Sequence, residues 1–181
     1  MKGLRDFSIP FVGLKLGIHE FFYDLDKAFF DHFPDSPIGE CDVKVKLEFD
    51  KKETFFILNF FIDGKVTVEC DRCLALYEKE IFGDYSCVIK LTDNSPRFND
   101  DDEIIYISKD DTHFDVSHLL YEYVALCLPL RKIPCREPGL DERCDKEVLK
   151  YLRQHVEDTR EQDIVDPRWE ALKKWNSDLN N

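Results

Sequence analysis

DVKVKLEFDKKETFFILNFFIDGKVTVECDRCLALYEKEIFGDYSCVIKL, residues 42–91, decides the fold class. Across 42–49, Val43, Val45, Leu47 and Phe49 alternate with Asp42, Lys44, Lys46 and Glu48. That period of two is expected of a strand buried on one face. Asp50-Lys51-Lys52-Glu53 reads as a polar turn, and 55–62 as a near-continuous apolar run suited to a central strand. Asp63-Gly64 reads as a hairpin turn, because a two-residue primed turn needs positive φ at both positions. Residues 65–70, 74–82 and 85–91 then read as three further strands, the last two separated by Gly83-Asp84. The expectation is an antiparallel meander.

Upstream, 7–16 reads as extended, with Gly13 and Gly17 as bends. A strand follows at 20–25, and a short helix at 26–33 is stopped by Pro34. Downstream, 92–102 is an acidic loop and 103–108 a short strand. The period then changes. Val116, Leu119, Leu120, Tyr123, Val124 and Cys127 recur at helical spacing, predicting a long amphipathic helix over 115–128. Asp115 is placed to cap it and Pro129 to end it. Residues 130–144 read as an irregular loop, with Asp145 capping a further helix to about residue 155. DPRWEALKKW (166–175) has an Asp cap and a Pro at the first helical position, so it predicts a short helix bearing Trp169 and Trp175. The expected architecture is α+β: a curved antiparallel meander packed by one long helix, with a Cys-rich loop and a helical tail. One domain is expected over 1–157, and a polar linker with a short helix over 158–181.

A 181-residue chain is long enough for one domain that buries about 70% of its unfolded surface. Fifteen Phe and seven Tyr supply an aromatic core, so the 35% of charged residues does not signal disorder. The opening MKGLRDFSIPFVG lacks a continuous apolar leader, and no stretch has the length of a membrane span. The expectation is a cytoplasmic protein with no membrane partner. A net charge of −13 argues against general nucleic-acid binding, which uses a basic face. Between 131 and 136, however, Arg131, Lys132 and Arg136 meet no acid. An acidic chain with a local basic patch suits a protein partner, including a basic one.

Seven Cys, in a compartment that keeps thiols reduced, read as metal ligands plus buried thiols rather than a disulfide framework. Cys70-Asp71-Arg72-Cys73 has the two-residue gap of a zinc knuckle. Cys135 and Cys144 lie in the polar loop with eight residues between them. Four thiolates suit a closed, tetrahedral, structural zinc site. Cys87 and Cys127 fall on apolar faces and are assigned to the core. The competing reading of Cys70 and Cys73 is a redox dithiol, but that chemistry wants the first thiol at a helix N-terminus, and 74–81 lacks a cap. His113 and His118 beside Asp115 read as surface or capping residues. There is no phosphate-binding glycine loop, nucleophile elbow or zinc-protease motif, hence no catalytic candidate and no small-molecule substrate.

VECDRCL (68–74) resembles the signature of the YceD family, the large ribosomal RNA subunit accumulation proteins. ALCLPL (125–130) before the Cys-bearing loop and DPRWEALKKW (166–175) are similar to further family segments. IPFVGLKLGIHEFFYDLD (9–26) resembles the start of members from a Bacteroidetes-like branch. The resemblance implies a bacterial role in large-subunit rRNA synthesis, processing or stability, with a ribosomal protein, assembly factor or pre-ribosomal particle as partner. It carries over Cys70, Cys73 and Cys144, while the position of Cys135 varies between Cys and His. A non-enzymatic assembly factor is therefore expected, contacting its partner through Arg131, Lys132, Arg136, Trp169 and Trp175. The alternatives are direct RNA binding through the sheet face, and a thiol oxidoreductase or RNA-acting enzyme.

Overall fold

Residues 7–93, 104–134 and 144–152 are described by a computed structural model. Along the chain come β1 (Ser8–Ile9), β2 (Gly17–Asp26), α1 (Lys27–Phe30), β3 (Cys41–Lys51), β4 (Phe55–Glu69), β5 (Leu76–Thr92), β6 (Ile104–Ser108), β7 (Phe114–Asp115), α2 (Ser117–Leu126) and α3 (146–152). Five strands form one sheet in the order β2-β3-β4-β5-β6, and β1 pairs with β7 in a separate ribbon. The class is mixed α+β with a mostly antiparallel sheet. One pairing departs from the expected meander, since β6 runs parallel to β5 from Val88↔Ile104 to Thr92↔Ser108.

The two glycine-aspartate signals are not turns. Fifteen residues, Phe55–Glu69, make one unbroken strand through Asp63-Gly64, and seventeen, Leu76–Thr92, run through Gly83-Asp84. Gly64 instead sits opposite Val43 and Ile81 in mid-ladder. A Cβ there would collide with the Asp42 carbonyl oxygen and stand 2.6 Å from Val43 Cα, so only glycine lets the strand backbones approach so closely. At Gly83 a Cβ would meet Cys127 Sγ at 2.7 Å and Tyr85 Cε2 at 2.9 Å. The true reversal between the two long strands is the Cys70–Ala75 segment.

Alternation then decides what is buried. On β4, Phe56, Leu58, Phe60, Ile62, Val66 and Val68 face inward, joined by Val43, Val45, Leu47 and Phe49 from β3. The helices and the β1–β7 ribbon cover that face. Tyr123 of α2 packs on Phe60 at 4.9 Å and lies parallel to Tyr85 at 4.9 Å. Tyr121 stacks on Phe33 at 4.3 Å, and Phe11 meets Phe56 at 5.0 Å. Phe30, Phe49, Phe56 and Phe60 are wholly buried, each contributing about 2–3 kcal/mol.

α1 is capped by Asp26, whose carboxylate accepts the Phe29 N–H at 3.2 Å. α2 is ten residues rather than the longer helix expected over 115–128. Its start is displaced because Phe114 and Asp115 pair with β1. The Asp115 carboxylate still accepts the Ser117 N–H at 2.8 Å, although Val116 holds the cap position. Beyond Leu126 the chain tightens into i→i+3 bonds, Cys127 N–H to Val124 and Leu128 N–H to Ala125, as it nears Pro129. Among the described residues no helix is long and apolar enough to cross a membrane.

Candidate metal centre

The β4–β5 ladder closes at Glu69↔Leu76, leaving Cys70, Asp71, Arg72, Cys73, Leu74 and Ala75 to reverse the chain. The Cys70 N–H donates to Ala75 O at 2.9 Å, and the Leu74 N–H donates to Cys70 O at 2.9 Å. Leu74 adopts φ +60°, a left-handed conformation that curls the loop around its sulfur atoms. The Arg72 N–H points at Cys70 Sγ from 3.4 Å. Neither Cys70 nor Cys73 lies at a helix N-terminus, the setting that activates a redox dithiol.

Cys144 arrives from the far end of the chain. Its sulfur and those of Cys70 and Cys73 all lie within 4.8 Å of one another, and all three residues are buried. Around a tetrahedral zinc with bonds of about 2.3 Å, thiolates would stand roughly 3.8 Å apart, and sulfurs gathered within 4.8 Å of one another fit such a site. Burial pushes the Cys73 thiol up. Amide N–H groups of Ala75 and Asp145 and the thiols of Cys70 and Cys144 outweigh it and leave Cys73 below the ordinary thiol range. Buried sulfurs met by amide donors fit a soft cation, because those donors stabilise the thiolate that must form when metal binds.

Two further ties bring the C-terminal residues to this turn. The Asp71 N–H donates to Lys132 O at 2.9 Å, and the Lys132 N–H returns a bond to the Asp71 carboxylate at 2.7 Å. The Lys132 ammonium adds a contact to Asp71 at 3.5 Å. That Lys132 amide, and then the ammonium, hold the Asp71 carboxyl below its usual range. On the other side Asp145 caps α3, accepting the Glu147 N–H at 2.9 Å and the Val148 N–H at 3.2 Å.

The expected ligands Cys70, Cys73 and Cys144 are thus brought together, while Cys135 lies outside the described residues. Arg131 is exposed. Lys132, expected as a contact for a partner, is engaged with Asp71. Arg136, Trp169 and Trp175 also lie outside the described residues. Cys87 is buried and Cys127 half-buried against the core. His118 packs edge-on against Phe33 at 5.4 Å, and His113 bonds Thr112 at 2.7 Å. The Asp71–Lys132 exchange was not foreseen from sequence, since nothing local announces a bond spanning 61 positions.

The family model described as large ribosomal RNA subunit accumulation protein YceD matches residues 58–175, about two thirds of the chain. The chain belongs to the YceD family. The family match begins within β4 and includes Cys70, Cys73, Cys135, Cys144, Trp169 and Trp175. The similarity noted at 9–26 lies outside it. No curated protein and no solved structure gives a significant match. The family description ties its members to accumulation of large-subunit rRNA.

Proposed function

We propose that this protein is a non-enzymatic, cytoplasmic factor in large-subunit ribosome assembly, acting through protein or ribonucleoprotein contacts. The family match carries the reading. Within it, Cys70, Cys73 and Cys144, with Cys135 as fourth ligand, hold a structural zinc. The three sulfurs that lie within 4.8 Å support this. The metal would supply no chemistry beyond a crosslink: a closed sulfur set leaves no coordination position for substrate. Its effect is to hold 130–134 and 144–152 against the β4–β5 turn. That arrangement would present Arg131 and Arg136, with Trp169 and Trp175 farther along the chain, to a pre-ribosomal particle.

A deletion strain complemented with variants tests the role. Wild-type protein should restore large-subunit rRNA relative to small-subunit rRNA and co-sediment with large-subunit precursors. Arg131→Ala with Lys132→Ala and Arg136→Ala should weaken co-sedimentation while leaving the fold intact. Normal rRNA ratios in the deletion strain would reject the assembly role. Unchanged co-sedimentation of the triple variant would reject the basic contact alone.

A further inference from the structure

The open face of the sheet is a second surface, which the metal centre does not account for. Strand alternation puts Phe22, Phe61 and Phe82 on it, 72%, 39% and 82% exposed. Clustered aromatic rings on a solvated strand face mark an interaction site more often than a structural need. The register keeps them near one another. Phe22 pairs with Lys46, which pairs with Phe61, and Phe82 lies one same-face position along from Asp84, the partner of Phe61. With strands about 4.8 Å apart, the three rings span roughly 15 Å across β2 to β5.

The surroundings of these rings are acidic on balance, although Lys44, between Asp24 and Asp63, and Lys65, beside Glu78 and Glu80, share the face. Glu20 and Asp24 flank Phe22 along β2, Glu80 and Asp84 flank Phe82 along β5, and Asp63 faces Phe82 across the ladder. Lys46 shows how a cation is held here. Its ammonium stands 5.9 Å from the centre of the Phe61 ring and bonds Glu20 at 2.8 Å and Glu48 at 2.9 Å. Ring and carboxylates act together on one ammonium. Phe82 has Asp63 across the ladder and Asp84 beside it, while Glu80 already pairs with Lys65 at 3.5 Å. A shallow concavity of about 420 Å³ runs between Phe22, Phe61, Asp63 and Asp84, and one of about 650 Å³ continues past Phe82.

We propose that the open face of β2–β5 docks an extended Lys/Arg-rich segment of a partner protein, with cationic side chains seated over Phe82 and Phe22 between the flanking carboxylates. The inference rests on this surface alone and goes beyond the role proposed above. Charge selects the occupant. Phosphates of a nucleic acid would be repelled. So would a second copy of the same acidic face. The chain's own 153–181 segment carries seven acids against five Lys and Arg, so it is a poor match too.

Full-length protein titrated into a fluorescently labelled peptide alternating Arg with Ala tests this by anisotropy. Replacing Phe22, Phe61 and Phe82 together by Ser should weaken binding about tenfold, Phe22 and Phe82 contributing around threefold each. Asp63→Lys with Glu80→Lys should weaken it further and flatten its salt dependence. This second variant keeps the test decisive if the triple variant melts early. Val12→Ser, an exposed change elsewhere, should leave affinity unchanged. Equal affinity of wild type and both face variants would overturn the proposal. Tighter binding of single-stranded RNA than of the peptide, lost in the Phe variant, would overturn it in favour of RNA. A wild-type dimer abolished in the Phe variant, with no peptide bound, would overturn it in favour of self-association.

Discussion

The sheet interior and the cysteine turn at its end are built on different physics. Inside, Phe49, Phe56 and Phe60 are wholly buried and Phe60 meets Tyr123 of α2, so extensive burial adds to the backbone ladders that join β3, β4 and β5. At the turn, 130–134 and 144–149 meet the hairpin through a few backbone bonds, three sulfurs and the packing of Val148 and Leu149 on the edge of the core. A large apolar area tolerates the loss of any polar contact, whereas a small polar clasp depends on each. Stability should therefore be global in the first region and local in the second.

The largest effect should come from the interior. Phe60→Ala removes a wholly buried ring in contact with Tyr123 and should cost about 3–5 kcal/mol in denaturant unfolding. A cost below about 1 kcal/mol would mean the core is not organised around β4. Next is Gly64→Ala. The atoms it would meet are the Asp42 carbonyl and Val43 Cα, which are backbone and cannot rotate away, so a loss of about 1–3 kcal/mol is expected. Gly83→Ala meets side-chain atoms of Cys127 and Tyr85 and should cost less. A reversed order would restore the reading of Asp63-Gly64 as a turn.

The clasp should respond differently. Cys73→Ser should raise amide exchange around 144–149 while the β3 and β4 amides keep their protection, because it removes a ligand and leaves the interior untouched. Uniformly faster exchange would mean the two regions unfold as one. The smallest effect belongs to Asp71→Ala, which removes an exposed carboxylate and should show chiefly as lost protection of the Lys132 amide.

What the sequence made legible follows the same division. Strict alternation in 42–49, the stop at Pro34 and the cap at Asp145 are local signals, and the structure contains β3, α3 and, within the expected 26–33, the shorter α1. Asp63-Gly64 and Gly83-Asp84 misled because glycine serves turns and close strand approaches alike, and only the neighbouring backbone distinguishes them. The apolar run 55–62 hid the exposure of Phe61, whose companion cation comes from Lys46 on the next strand. The parallel pairing of β6 with β5 is tertiary, and nothing within the five residues of β6 announces its direction. For the metal centre, the two-residue gap of Cys70 and Cys73 was visible. The approach of Cys144 is tertiary and rests on the family resemblance and on geometry together.

The sharpest test of the clasp is cobalt substitution of purified protein, reading the sulfur-to-metal charge-transfer absorption alongside total metal by mass spectrometry. One bound metal per chain is expected, with intensity for at least three thiolates, and Cys144→Ser should abolish or strongly weaken it. A wild-type protein that binds no metal, or binds it unchanged after Cys144→Ser, would contradict the clasp.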